Sequence, residues 1–176
     1  DVLTARAANQ AGVPMCVSTL AEDPLETVAA EFTEAPGFFQ LYCPTDKDIA
    51  ESLVRRAETA GYAGIVVTLD TWVLGWRPRD LSTANFPQLR GQCLANYTSD
   101  PVFREKAGFA EGGNPRDVVG FWASIFGRPL TWDDLVWLRG LTELGAAQKE
   151  LFAAIGLPIP TPDGVVPSNS GTAASV

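Results

Sequence analysis

The chain has 176 residues, enough for one domain with its own hydrophobic core, and its 46% hydrophobic and 19% charged content reads as an ordinary globular protein. No apolar run approaches the roughly 20 residues of a membrane span, and a formal charge of −8 argues against nucleic acid or an anionic membrane surface as partner. The chain contains no His, which excludes His-ligated metals, Ser-His-Asp triads and a His general base from within these residues.

The opening DVLTARAANQ reads as the middle of a helix, with no Met and no basic leader before an apolar core, so no signal peptide is expected. VPMCV (13–17) is a short apolar run ending in Ser18 and Thr19. Asp23-Pro24 then predicts a helix start, with Asp as N-cap, Pro at the first position and Leu25, Val28 and Ala29 inward. FFQLY (38–42) predicts a second strand. Thr45 and Asp48 make a capping-box pair before a helix whose inner face is Ile49, Leu53, Val54 and Ala57. Gly61 closes it, and AGIVVTLD (63–70) follows as a buried strand. This β-α-β-α-β rhythm predicts an α/β fold with a parallel sheet covered by helices.

From Thr71 to about Asn114 no clean period survives, and a stretch of that length reads as a functional loop or lid. Pro115–Phe126 predicts one helix with Val118, Val119, Trp122 and Ile125 on one face. Thr131 and Asp134 open another with a second capping box, followed by Leu135, Leu138 and Leu141. From Gly156 the chain is rich in Pro, Gly, Ser and Thr, and a frayed or disordered tail is expected. Cys16, Cys43 and Cys93 form no CxxC pair, and the odd count favours a reducing cytosol and three small buried thiols. The five Trp residues read as core or lid packing.

Each apolar strand ends in polar residues: Ser18 and Thr19, Gln40 and Tyr42, Thr68 and Asp70. Parallel α/β folds place their sites at the strands' carboxyl ends, so these groups would line one pocket. The same groups would equally serve as helix caps and loop partners. VSTL (17–20), GFFQLYCPTD (37–46), SLVRRAETAGYAGIVVTLDT (52–71) and LTWDDLVWLR (130–139) together resemble the FMN-dependent 2-hydroxy-acid dehydrogenase and oxidase family. The stretch WVLGWRPRDLSTANFPQLRGQCLANYTSDPVF (72–103) resembles the lactate 2-monooxygenase branch in particular.

The resemblance implies a TIM barrel of which residues 1–143 supply only part, with strands two to four and a long loop after the fourth. It implies FMN as cofactor, held by Ser18, Gln40 and Thr68, with Gln40 facing the pyrimidine edge of the flavin. Tyr42 would donate its phenol to the substrate, and Arg77 would suit the substrate carboxylate. Asp70 would orient a catalytic His, and Leu20 would leave an apolar pocket for a short 2-hydroxy acid such as lactate. The bland alternatives are strand-end hydroxyls for Ser18 and Thr68, core packing for Tyr42, a turn cap for Asp70 and an Arg77–Asp80 pair.

The family's His, its neighbouring Arg and its Lys lie beyond LTWDDLVWLR, and residues 142–176 no longer match that pattern. GLPIP (156–160) resembles the start of a fifth strand without the Lys, and Ser170 in VVPSNSG stands where the His would be. The expectation is therefore a cytoplasmic fragment, residues 144–176 diverging, that binds FMN poorly and is inactive alone. Rival expectations are a half-barrel that self-associates or pairs with a separate second half, and an unrelated enzyme built on Asp70, Tyr42 and Arg77.

Overall fold

The computed structural model describes residues 1–71, 75–127 and 129–146. Trp72 and the tail expected from Gly156 lie outside these residues, as does nearly all of the divergent segment 144–176. Val2–Ala11 form helix α1. It ends where Gly12 takes a left-handed φ of 66° and the Gly12 and Val13 N–H groups bond back to Asn9 and Ala8 carbonyls. That closure claims Val13, and Pro14 has no N–H to pair, so strand β1 is Met15–Ser18 rather than 13–17.

Helix α2 spans Leu25–Ala29. Asp23 does not cap it, contrary to the sequence pattern, because Pro24 is extended and occupies the N-cap itself. The Asp23 carboxylate instead accepts from Val2 N at 3.1 Å, at the start of α1. Strand β2 is Gly37–Leu41, and helix α3 is Lys47–Thr59. Its N-cap is Asp46, which accepts from Asp48 N and Ile49 N, rather than Thr45. Thr45 is held elsewhere, its N–H donating to the Ile125 carbonyl at 2.8 Å.

The inward face of α3 is as expected: Ile49, Leu53, Val54 and Ala57 are buried, along with Ala50. Each of the larger ones contributes about 1.5–3 kcal/mol by leaving water. They pack on Val17, Phe39, Leu41 and Ile65 of the sheet. Strand β3 is Gly64–Val67, shorter than 63–70 because β2, its hydrogen-bonding partner, ends at Leu41. The three strands are parallel in chain order, with Ser18 opposite Gln40 and Gln40 opposite Val66. Since side chains alternate, Phe39 and Leu41 face the helices while Phe38 and Gln40 face the other side. On that other side Cys16 and Val66 are exposed.

The stretch without a period is largely helical in short pieces. Helix α4 is Pro78–Thr83, α5 is Ala95–Thr98 and α6 is Pro101–Ala107. Leu94, Tyr97 and Phe103 from this segment are buried in the same core as the sheet. Asp100 caps α6 by accepting from Phe103 N, with Pro101 at the first position. The single helix expected over 115–126 is a 3-10 turn at Pro115–Val118 running into α7, Val119–Ile125. Helix α8, Trp132–Gly140, has the expected Thr131–Asp134 capping box.

Two packing expectations need correction. Cys43 is buried, but Cys16 is exposed and Cys93 half-exposed. Trp122 is core, whereas Trp76 and Trp132 are 84% and 81% exposed. Trp137 is half-buried, with Lys47 Nζ 4.7 Å from its ring centroid. Among the described residues no helix is long and apolar enough to cross a membrane.

Candidate functional site

The register of the sheet puts three residues far apart in sequence side by side at the strands' carboxyl ends. Ser18 Oγ donates to Gln40 Oε1 at 3.1 Å, and Gln40 Nε2 donates to Thr68 Oγ1 at 2.7 Å. Thr68 lies one residue past β3, yet its N–H still bonds the Leu41 carbonyl at 3.1 Å in sheet fashion. All three side chains are half-buried. Ser18 Oγ also accepts from Leu20 N at 3.0 Å, which turns the chain away from β1.

Oε1 of Gln40 receives a second donor, Thr19 N, at 3.3 Å. With both acceptor positions of the oxygen engaged, the carboxamide presents its nitrogen toward Thr68. The second Nε2 hydrogen and the Thr68 hydroxyl hydrogen have no partner among the described residues. The row therefore offers two donors to a ligand carbonyl, the Gln40 N–H fixed in direction by the partners of its carboxamide and the Thr68 O–H able to rotate. Among the described residues no group of three His, Cys, Asp or Glu side chains could hold a metal ion.

The other expected residues are placed as follows. Tyr42 is half-buried just past β2, its ring edge-on to Phe126 at 5.5 Å between centroids. Asp70 is exposed, and its carboxylate accepts from Thr71 Oγ1 at 3.0 Å. Arg77 is exposed at the N-cap of α4, with Nη1 3.8 Å from Asp80 Oδ2. Among the described residues neither the Asp70 nor the Arg77 side chain hydrogen-bonds the Ser18–Gln40–Thr68 row. Leu20 is half-buried against the core.

Two supporting residues depart from the sequence expectation: Thr19, expected with Ser18 among the groups lining the pocket, is fully buried and its hydroxyl bonds backbone instead, and Asn96 is not among the expected site residues. Thr19 has no solvent exposure, and its hydroxyl donates to the Gln40 carbonyl while accepting from Tyr42 N at 3.0 Å. Asn96, also without exposure, bonds the turn between β1 and α2 from a helix some 75 residues later. Only the Ser-Thr pair at 18–19 carried a sequence signal for Thr19; nothing local marks Asn96. Behind them Arg56 binds Asp100 at 2.9 Å and Glu26 at 2.7 Å. Burial works against the Arg56 guanidinium, but these two carboxylates outweigh it and raise its pKa above the ordinary value.

The family model described as FMN-dependent dehydrogenase matches residues 1–153. An L-lactate oxidase of Lysinibacillus sphaericus is 34% identical over 175 residues, covering 97% of this chain and 45% of that protein. An FMN-dependent alpha-hydroxy acid dehydrogenase of Penicillium citrinum is 39% identical over 139 residues, covering 77% of this chain and 35% of its own length. Among solved structures, mandelate oxidase with (S)-4-hydroxymandelic acid superposes with a TM-score of 0.61 at 33% identity, over 81% of this chain and 38% of that one. The chain thus spans less than half the length of these relatives. A match over so many residues, with a parallel sheet whose polar row stands at the carboxyl ends, leaves one assignment: the chain belongs to the FMN-dependent dehydrogenase family.

Proposed function

We propose that Ser18, Gln40 and Thr68 hold the flavin of FMN, and that the chain serves oxidation of L-lactate or a similarly short 2-hydroxy acid. The observation that carries this reading is the hydrogen-bonded row across three parallel strands at their carboxyl ends, where such folds lodge ligands. The donor set suits a flavin. Its pyrimidine edge carries two carbonyl oxygens, and the spare Gln40 N–H and Thr68 O–H are donors of matching kind. The three strands would be the second to fourth of a TIM barrel, with the rest of the barrel supplied by sequence outside these 176 residues.

When bound, FMN supplies the electron acceptor for removal of the hydrogen on C2 of the hydroxy acid. This chain's residues would bind and orient. Tyr42 would donate its phenol hydrogen to the substrate oxygen, and Arg77 would pair with the substrate carboxylate once its exposed side chain leaves Asp80. Asp70 would accept from the ring N–H of a His outside this chain, favouring the imidazolium formed when that His takes the hydroxyl proton. Leu20 would keep the pocket apolar. The resemblance of residues 72–103 favours the monooxygenase outcome, in which lactate and oxygen give acetate, carbon dioxide and water.

Titrating FMN with the chain and following flavin fluorescence tests the reading. Weak saturable quenching is expected, with affinity falling about tenfold in Gln40→Leu, as loss of one hydrogen bond dictates. Quenching that ignores this substitution, or never saturates, overturns it. A second reading, a self-associating half-barrel, is favoured by the exposed Val66 in β3 and Leu69 just past it, 41% and 55% accessible. A discrete dimer in light scattering, lost in Val66→Lys, would support it.

A further inference from the structure

The segment between β3 and α7 reaches back to the strand tips through Asn96. Asn96 in α5 spends its whole carboxamide on the turn after β1. Nδ2 donates to the carbonyls of Ser18 at 3.2 Å and Thr19 at 3.0 Å, while Oδ1 accepts from Leu25 N at 2.7 Å. The neighbouring Ala95 N donates to the Ala21 carbonyl at 3.1 Å, so the contact is made by two adjacent residues. Asn96 is fixed in turn, because its own carbonyl accepts from Arg56 Nη1 at 2.8 Å.

From this turn the connection runs directly into the polar row. The Ser18 hydroxyl and the Thr19 N–H both donate to Gln40 Oε1. The Thr19 hydroxyl bridges the Gln40 carbonyl and Tyr42 N, locking the end of β1 onto the end of β2. Turning the Gln40 carboxamide over would set its NH2 against the Thr19 N–H, donor facing donor, and forfeit the bond to Thr68.

We propose that Asn96 and Thr19 are positioning residues for the flavin edge. They set the direction in which the Gln40 carboxamide faces, so the fully buried Asn96 governs flavin recognition without touching the flavin. The part concerning recognition rests on the flavin reading above; the orientation itself is testable with no flavin present. A purely structural Asn96 would cap α2 and anchor the segment, and its loss would lower stability while leaving the Gln40 side chain undisturbed.

The experiment uses the full chain with 15N-labelled glutamine, following hydrogen exchange of the Gln40 side-chain amide by NMR. Asn96→Asp keeps an acceptor for Leu25 N but loses both donors, and Thr19→Val keeps shape but loses the hydroxyl. Each is expected to speed Gln40 Nε2 exchange at least tenfold and move its resonances. Thr19→Ser should restore exchange to within about twofold of the parent. Tyr62→Phe, which removes the bond to the Leu25 carbonyl at 2.9 Å, serves as a destabilised control and should leave Gln40 unchanged. Unaltered Gln40 signals in folded Thr19→Val overturn the proposal, and this variant decides should Asn96→Asp not fold. FMN titration of the same proteins separates the two claims. Affinity falling in step with Gln40 protection supports both, and affinity unchanged while Gln40 is loosened overturns the link to recognition. No FMN binding by the parent, with Gln40 loosened as expected, sinks the flavin reading and with it the recognition claim, and leaves the orientation claim standing.

Discussion

Replacing Asp100 by alanine takes three hydrogen bonds from a carboxylate with no solvent exposure. Ser52 Oγ and Arg56 Nη1 donate to Oδ2 at 2.7 and 2.9 Å, and Phe103 N donates to Oδ1 at 2.9 Å. Loss of the α6 cap costs about 1 kcal/mol. Breaking a buried ion pair from one side costs about 3–5 kcal/mol. Arg56 keeps Glu26 and the Ser99 hydroxyl, so the lower end of that range applies. The sum is about 4 kcal/mol for Asp100→Ala. With a urea slope of roughly 2 kcal/mol per molar, the midpoint should fall by about 2 M. Asp100→Asn keeps the size and the capping oxygen but loses the charge, and should cost about half as much. Urea unfolding followed by tryptophan fluorescence reads both. A midpoint shift in Asp100→Ala under about 0.5 M, or equal shifts in the two variants, would refute the assignment of the ion pair as the larger part.

Gly91 and Gly12 both have left-handed backbone, φ 76° and 66°, but a Cβ at Gly91 would stand 2.8 Å from Arg116 N, whereas Gly12 has open space. Gly12→Ala should therefore cost about 1 kcal/mol from conformation alone, and Gly91→Ala clearly more, as thermal unfolding of the two variants will show. Burial opposes ionisation of Asp46 and Glu26, but Lys106 and Arg56 outweigh it and hold both pKa values below the ordinary range. The stability they supply is present above the unfolded values of about 4 and is lost as pH falls through the lower folded ones. The urea midpoint should thus drop between pH 5 and 3, and a flat profile there contradicts the pairing. Burial, then the Glu22 carboxylate accepting from Sγ at 3.2 Å, push the Cys93 thiol up to about 11. Its alkylation by iodoacetamide should keep accelerating beyond pH 9, and Glu22→Gln should move that midpoint down.

Two Asp-Pro pairs show where local sequence suffices and where it fails. Asp100-Pro101 opens α6 as capping chemistry prescribes, and Asp23-Pro24, with the same signal, does not open α2. The difference is tertiary: Asp23 is drawn to the start of α1, and the free N–H of Leu25 is met by Asn96. The Thr131–Asp134 capping box was legible because both partners lie within one turn. The inner face of α3 was legible because its period is a property of the chain itself. Likewise the polar ends of the three apolar runs named Ser18, Gln40 and Thr68 as candidates in advance.

The amino-acid order determined the parallel α/β class, the helix faces and the family, since these follow from periodicity and from motifs carried within short windows. Only the tertiary structure decided that the three polar ends share one hydrogen-bonded row, because register between strands sums over contacts among residues more than twenty positions apart. It alone decided that Asn96 and Arg56 stand behind that row, since a buried polar side chain takes whichever unsatisfied backbone group the fold delivers to it.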